Sequence, residues 1–159
     1  MKRVCTPNRS SQFLTAFAVN SGPLSDRMNP DGESYRLNHS KKKKRGKIVN
    51  ISSIAGHHRS LVSGVHYVSS KAGLIGLTKQ LAFEAAEYNI NVNAICPSQT
   101  MTEMLQKSMS QDELNNLITN IPLNRIATVE DQVGIILFLC SDAASYITGT
   151  SIDVNGGQI

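Results

Sequence analysis

The sequence predicts an α/β fold with a parallel sheet, and three observations lead to this prediction. Short β-branched apolar segments recur along residues 45–159, and helix-forming segments separate them. The resulting order of strand, helix, strand, helix, strand is typical of parallel sheets. The apolar segments also run on without strict alternation, as expected for strands that are buried on both faces of a sheet.

The first two predicted strands flank a long helix. The segment "KIVNIS" (47–52) is a short β-branched run of strand type, and a loop follows it. From about Tyr67 to Tyr88, apolar residues recur mostly at three- and four-residue steps among strong helix formers, which predicts a helix. The segment "INVNAIC" (90–96) is the second predicted strand, and Pro97 ends it.

The rest of the region mixes helices with loops before a last strand. Helices are predicted at about 100–108 and 111–119. Thr128 is a suitable N-cap for a further helix, because two acidic residues in the first turn of that helix complement its dipole. The last strand is predicted at about 150–154, which completes the alternating order.

The first 44 residues are predicted to be irregular or disordered, so we expect the domain to occupy residues 45–159. Residues 20–40 are dense in Gly, Pro, Asn, Asp and Ser, which favour loops over regular elements. One short helix around residues 11–19 is the single regular element that the pattern there allows.

Charge divides the chain near the same boundary. Residues 1–47 carry 11 Lys and Arg against 3 Asp and Glu, a charge of +8, whereas residues 48–159 carry 5 against 9, a charge of −4. The run "KKKKRGK" (41–47) is compatible with a nucleic-acid patch. No aromatic side chains interleave with its lysines for stacking on bases, so we expect a solvated turn and no nucleic-acid partner.

The cysteines and the apolar segments indicate the compartment. Cys5, Cys96 and Cys140 are odd in number and show no CxxC spacing. We interpret them as free thiols of a reducing compartment, and we expect a cytoplasmic protein without a metal site. The longest apolar stretch, "VGIILFLC" (133–140), is too short to cross a bilayer, so no membrane partner is expected.

A tyrosine and a lysine four residues apart share one face of the predicted long helix, at Tyr67 and Lys71. A phenol has a pKa of about 10, and a nearby ammonium lowers that value, so the pair can transfer a proton. The serines of "ISS" follow the first strand, where a hydroxyl can face a ligand crevice. Spacing alone leaves a second interpretation open, an exposed helix pair without chemistry.

Four stretches, in this order, carry a family resemblance: "GKIVNISSIAG", "YVSSKAGLIGLTKQLAFE", "INVNAICPSQTMTEM" and "IPLNRIATVEDQVGIILFLCSDAASYITGTSIDVNGG". Together they cover about residues 45–159 and resemble the C-terminal half of the short-chain dehydrogenase/reductase family, most of all the 3-oxoacyl-carrier-protein reductases. The resemblance implies a partial Rossmann-type doubly wound parallel sheet. It also implies NAD(P)(H)-dependent interconversion of a small-molecule carbonyl and alcohol by hydride transfer, in a homo-oligomer.

The resemblance implies catalytic roles for three residues. Ser53 matches the family's substrate-orienting serine, with Ser52 as the alternative. Tyr67 matches the general acid/base. Lys71 matches the lysine that lowers the pKa of the tyrosine and binds the hydroxyls of the nicotinamide ribose, so that Tyr67 and Lys71 also belong to the expected cofactor site.

The resemblance extends to the loop after the second strand. Its sequence "PSQTMT" matches the family's Pro-Gly-x-x-x-Thr stretch, with Ser98 in place of the usual glycine. Pro97 is expected to shape the loop. The backbone at Thr100 and the hydroxyl of Thr102 are expected to contact the carboxamide of NAD or NADP.

The glycine-rich turn that holds pyrophosphate in this family is absent from the sequence, as is the family's NNAG-type strand end. We therefore expect the fold to lack the N-terminal nucleotide-binding strands and to bind NAD or NADP weakly. Two explanations are open, a gene-model or frame-shift fragment, which the sequence favours, and a truncated protein that is made. The alternative function is that of a catalytically inactive fragment that acts at most as a dimerisation module.

Overall fold

Four parallel strands form one sheet in the computed structural model, which describes residues 14–17, 45–60 and 63–159. The sheet order follows the chain order, and each strand pairs in parallel with the next. The strands are β1 (Leu14–Phe17), β2 (Gly46–Ile51), β3 (Ile90–Pro97) and β4 (Ser151–Val154). The parallel sheet predicted from the sequence is therefore confirmed.

Helices connect β2 to β3 and β3 to β4, as the alternating pattern predicts. They are α1 (Val65–Ala85), α2 (Glu103–Ser108), α3 (Gln111–Thr119) and α4 (Val129–Cys140). A short 3-10 helix follows β2, a second one extends α1, and a third one follows α4, at Ile54–Gly56, Ala86–Tyr88 and Asp142–Ala144. The predicted helices and strands of residues 45–159 are all present, with ends that differ by at most a few residues.

The prediction of a short helix around residues 11–19 is wrong over Leu14–Phe17, where the chain forms β1. This strand pairs with four residues of β2, from Leu14 opposite Lys47 to Phe17 opposite Asn50. A short apolar run does not distinguish helix from strand by its period, and the hydrogen bonds offered by the edge of β2 favour the strand. The boundary at residue 44 stays a prediction, because the rest of that segment lies outside the described residues.

Helices cover both faces of the sheet. Ile48 of β2 packs with residues of α1 and β3 in one buried cluster, which also contains Ala82 and Val92. Val49, the next residue along β2, packs in a second cluster with Leu139 of α4. Adjacent residues of a strand point to opposite faces, so α1 and α4 lie on opposite sides of a doubly wound sheet.

The predicted N-cap of the last helix is confirmed. The Thr128 side chain accepts a hydrogen bond from the Asp131 backbone N–H, and the Asp131 carboxylate accepts one from the Thr128 backbone N–H at 2.7 Å. The Arg125 guanidinium donates two further hydrogen bonds to Asp131, at 2.6 and 2.9 Å. These hydrogen bonds, those from Arg125 first, hold the pKa of the Asp131 carboxyl well below its usual range.

Cys96 and Cys140 are buried free thiols, in agreement with the interpretation of the cysteines, and Cys5 lies outside the described residues. Within the described part of the chain, no helix combines the length and the apolar character that a membrane crossing requires.

Candidate active site

The first turns of α1 lie against the carboxyl end of β2, and this contact positions the predicted tyrosine and lysine. The Lys71 side chain reaches the strand, where its Nζ donates a hydrogen bond to the Ile51 carbonyl at 2.9 Å. The same Nζ lies 5.5 Å from the centroid of the Tyr67 ring, within the range of a cation–π contact. Burial lowers the pKa of the Lys71 ammonium below its usual value. Tyr67 is half-buried, whereas Lys71 is only 9% exposed.

The two serines after β2 have different contacts. Ser52 is buried, and its Oγ donates a hydrogen bond to the Lys71 carbonyl at 2.9 Å. The backbone N–H of Ser52 donates to the Ile95 carbonyl of β3 at 2.8 Å. The Ser53 Oγ instead accepts a hydrogen bond from the Ala55 N–H at 3.2 Å and caps the 3-10 helix that follows β2. That contact uses the oxygen as an acceptor and leaves the hydroxyl proton of Ser53 available to another group.

Gly56 allows the turn after Ser53 to approach α1 closely. A Cβ atom at this position would lie 2.9 Å from the backbone carbonyl carbon and oxygen of Lys71 and 2.9 Å from Cδ1 of Ile75. Cβ atoms essentially never come within 3.0 Å of heavy atoms of residues that are not their neighbours along the chain. The absence of a side chain at Gly56 therefore sets the distance between the serine-bearing turn and the helix that carries Lys71.

A buried polar network connects β2 to α1 about two helical turns after Lys71. The Asn50 side-chain amide donates a hydrogen bond to Thr78 Oγ1 at 2.9 Å, and that hydroxyl donates in turn to the Leu74 carbonyl at 2.7 Å. Thr78 is completely buried and Asn50 nearly so. Because every member has a partner, the network fixes the position of α1 along β2. Sequence reasoning missed it, although the asparagine inside the apolar "KIVNIS" is a signal for it.

The three residues expected to contact a cofactor lie at the end of β3 and in the segment that follows it. Pro97 is the last residue of β3. Thr100 forms an isolated parallel bridge with Ala127, and the Met101 N–H donates to the Ala127 carbonyl at 2.7 Å. Thr102 is the N-cap of α2 and is exposed. All three follow the same edge of the sheet as Ser53, because the carboxyl ends of parallel strands lie on one side.

Of the two histidines in the loop between β2 and α1 and a third in the first turn of α1, one contacts the last strand. The Nδ1 atom of His57 lies 3.0 Å from the Asp153 carboxylate, and its Nε2 atom lies 3.0 Å from Ser151 Oγ. His58 and His66 are exposed. The contacts of His57 join segments that are nearly one hundred residues apart along the chain, so the local sequence does not predict them.

The family model described as Enoyl-(Acyl carrier protein) reductase matches residues 34–158, most of the chain. The chain belongs to the short-chain dehydrogenase/reductase family. The resemblance and the doubly wound fold predicted from the sequence are thus confirmed at the level of the family.

Relatives of this family are similar over the same region. Protein FixR of Bradyrhizobium diazoefficiens is 45% identical over 113 residues, which cover 71% of this chain and 39% of that protein. The 3-oxoacyl-[acyl-carrier-protein] reductase of Aquifex aeolicus is 46% identical over 117 residues, which cover 74% of this chain and 46% of that enzyme. The solved structure of ElxO with NADP bound has a TM-score of 0.72 and 36% sequence identity, and the match covers 78% of this chain and 50% of that one. The chain spans less than half the length of these two curated relatives.

Proposed function

We propose that this chain carries the proton-transfer centre of an NAD(P)(H)-dependent oxidoreductase, which interconverts a carbonyl and an alcohol by hydride transfer. The observation that carries the proposal is the Lys71 ammonium, which is held at the end of β2 and 5.5 Å from the centroid of the Tyr67 ring. The family supports the reaction class, and the Aquifex aeolicus relative is named as a reductase of a 3-oxoacyl group. A small carbonyl compound of that kind is the proposed substrate.

Tyr67 is the proposed proton donor in the direction of reduction. Its hydroxyl gives a proton to the substrate oxygen as the carbonyl carbon gains a hydride, and the product is an alcohol. The phenolate that remains is stabilised by the neighbouring Lys71 ammonium.

Ser53 is the proposed donor that holds the substrate oxygen. The hydroxyl proton of Ser52 is already used in the hydrogen bond to the Lys71 carbonyl. In the hydrogen bond from the Ala55 N–H, the Ser53 oxygen is the acceptor, so the Ser53 hydroxyl proton can be donated to a substrate. This difference favours Ser53, which the family resemblance also places ahead of Ser52.

Pro97, Thr100 and Thr102 are the proposed contacts to the nicotinamide end of NAD or NADP, which supplies or accepts the hydride when bound. They suit such a group because they lie at or after the carboxyl end of β3, at the edge of a parallel sheet where ligands bind. The exposed Thr102 uses its oxygen to accept a hydrogen bond from the Leu105 N–H at 3.3 Å, which leaves its proton for a carboxamide oxygen. We expect weak cofactor binding, since no glycine-rich turn occurs in the sequence.

Turnover of the whole chain tests the proposal. NADH and NADPH oxidation would be followed with acetoacetyl-CoA, a 3-oxoacyl thioester, for the wild type and for Lys71→Met, which keeps the length of the side chain without its charge. We expect turnover that falls by about 100-fold or more in this variant. Ser53→Ala should lower turnover by a similar factor, whereas Ser52→Ala should act mainly on stability. Equal losses in the two serine variants would contradict the assignment of Ser53.

Association of two copies is the second candidate function, and one observation favours it. Large apolar side chains are exposed on the outer faces of two helices, Leu77 and Phe83 on α1 and Leu137 and Phe138 on α4. Such faces are typical of protein–protein contacts. Light scattering of the wild type and of Phe83→Asp would detect a dimer that the charge disrupts. A dimer without turnover on either cofactor would favour the inactive dimerisation module over the enzyme.

A further inference from the structure

Three potential metal ligands from distant parts of the sequence meet beside β4. His57 follows β2, Cys96 lies in β3 and Asp153 lies in β4, and their ligand atoms are all within 4.8 Å of one another. Cys96 and Asp153 are direct partners in the ladder between β3 and β4, so their side chains project from the same face of the sheet. Among the described residues, this is the one group of three such ligands.

We propose that His57, Cys96 and Asp153 form a binding site for a divalent transition-metal ion with the preferences of zinc. An imidazole nitrogen, a thiolate sulfur and a carboxylate oxygen are the ligand types that zinc combines in proteins. Three protein ligands leave a fourth tetrahedral position open to water or to another small ligand. The sequence predicts no metal site, because spacing along the chain cannot show that the three residues converge.

The geometry requires only small movements to close around an ion. With zinc–ligand bonds of about 2.0–2.3 Å, ligand atoms of a tetrahedral site lie about 3–4 Å from one another. The His57 Nδ1 and Asp153 Oδ1 atoms are 3.0 Å apart, close to that range. Cys96 and Asp153 are held by the sheet, whereas His57 lies in a turn that can adjust.

Ser151 orients the histidine in the way that metal sites use. The second nitrogen of a metal-bound imidazole commonly donates to an oxygen acceptor such as a carboxylate, a backbone carbonyl or water, which fixes the ring and its tautomer. The Nε2 atom of His57 lies 3.0 Å from Ser151 Oγ. When Nε2–H donates to this hydroxyl, the lone pair of Nδ1 faces Asp153 and the proposed ion.

The Cys96 sulfur is buried, whereas the other two ligands are partly open to solvent. The side chains of His57 and Asp153 are 25% and 38% exposed, so an ion can reach the buried sulfur from solvent between them.

A competing account assigns the cluster a purely structural role. A neutral or protonated His57 can join Asp153 and Ser151 by two hydrogen bonds and so attach the loop after β2 to β4. This account predicts no metal binding and no function for the Cys96 sulfur, which distinguishes it from the proposal.

Titration of the chelator-treated, dialysed full chain with Co²⁺ tests the site independently of any enzymatic activity. We expect one equivalent to bind, with a thiolate-to-cobalt charge-transfer band and the visible bands of tetrahedral cobalt, and Zn²⁺ to displace it. Cys96→Ser should remove the charge-transfer band, and Asp153→Asn should weaken binding by tenfold or more. Ser151→Ala should weaken it about 10- to 100-fold, as the loss of an orienting partner does.

Matched controls separate the site from other histidines and thiols. His58→Gln and Cys140→Ser should bind Co²⁺ like the wild type, and circular dichroism would show whether each variant is folded. A charge-transfer band that survives Cys96→Ser would overturn the proposal, as would an absence of bound Co²⁺ in the folded wild type. Because Asp153 is partly exposed, Asp153→Asn tests the site even if Cys96→Ser does not fold.

Discussion

Substitution of Gly56 by alanine tests the close contact between the turn after β2 and α1. The added Cβ would meet two backbone atoms of Lys71 and the end of the Ile75 side chain, each at 2.9 Å. The φ angle of Gly56 is not positive, so alanine causes no strain in the backbone dihedral angles and the expected cost is steric.

The magnitude follows from two opposing terms. Overpacking of this kind costs about 1–3 kcal/mol. Alanine also restricts the unfolded chain, which offsets about 0.4–1 kcal/mol. We expect a net decrease of about 1–2 kcal/mol in the free energy of unfolding. The turn or the helix must shift by several tenths of an ångström, and displacements approaching 1 Å can lower turnover by about 100-fold.

Urea unfolding and turnover on acetoacetyl-CoA would measure both effects, with Gly76→Ala as the matched control. Gly76 lies in α1, and a Cβ there would meet nothing within 4 Å. Alanine should therefore raise the stability at Gly76 by up to about 1 kcal/mol. Equal unfolding midpoints for the Gly56 and Gly76 variants, with unchanged turnover in both, would refute the close approach of the turn to Lys71.

Three further predictions concern the framework of the site. Thr78→Val should lower the free energy of unfolding by about 1–3 kcal/mol in urea titrations, because the buried Asn50 amide loses its acceptor. Thr78→Ser keeps the hydroxyl and should retain most of the wild-type stability. Thr128→Ala should cost about 1 kcal/mol in the same assay through loss of the α4 cap, and no loss would contradict the capping role. Burial raises the pKa of the Cys140 thiol from 9.0 to about 11, so the unfolded chain releases this proton at a lower pH than the folded chain. The free energy of unfolding should therefore fall as the pH rises from about 9 towards 11, by up to about 1.4 kcal/mol per pH unit. Burial lowers the pKa of Lys71, and this shift changes stability with pH in the opposite direction. The test is therefore the free energy of unfolding of the wild type minus that of Cys140→Ala, measured at about pH 8 and about pH 10. This difference should be larger at the lower pH.

The order of strands and helices could be predicted because it is a local property of the sequence. The β-branched run before Ser52 and the three- and four-residue steps after Tyr67 each fit one period. The first strand could not be predicted in this way. Four residues, Leu14–Phe17, are too few to show a period, and their strand conformation depends on the edge of β2, which is supplied by residues far along the chain.

In the candidate site, too, local contacts could be predicted from the sequence and tertiary contacts could not. Tyr67 and Lys71 are four residues apart on one helix, so their proximity follows from helix geometry, and the structure shows it. The resemblance places Ser53 ahead of Ser52, and the contact that distinguishes the two hydroxyls, from Ser52 to the Lys71 carbonyl, is a tertiary contact that the sequence does not show. The cluster around His57 likewise depends on the register between β3 and β4, which local sequence does not encode.

Turnover of Tyr67→Phe tests the central claim most directly, with Tyr146→Phe as the control because the Tyr146 side chain is fully exposed. Phenylalanine keeps the ring beside Lys71 and removes only the hydroxyl. Oxidation of NADPH and NADH with acetoacetyl-CoA should fall by about 100-fold or more in Tyr67→Phe and stay unchanged in Tyr146→Phe. Wild-type turnover in the Tyr67→Phe variant would contradict the account.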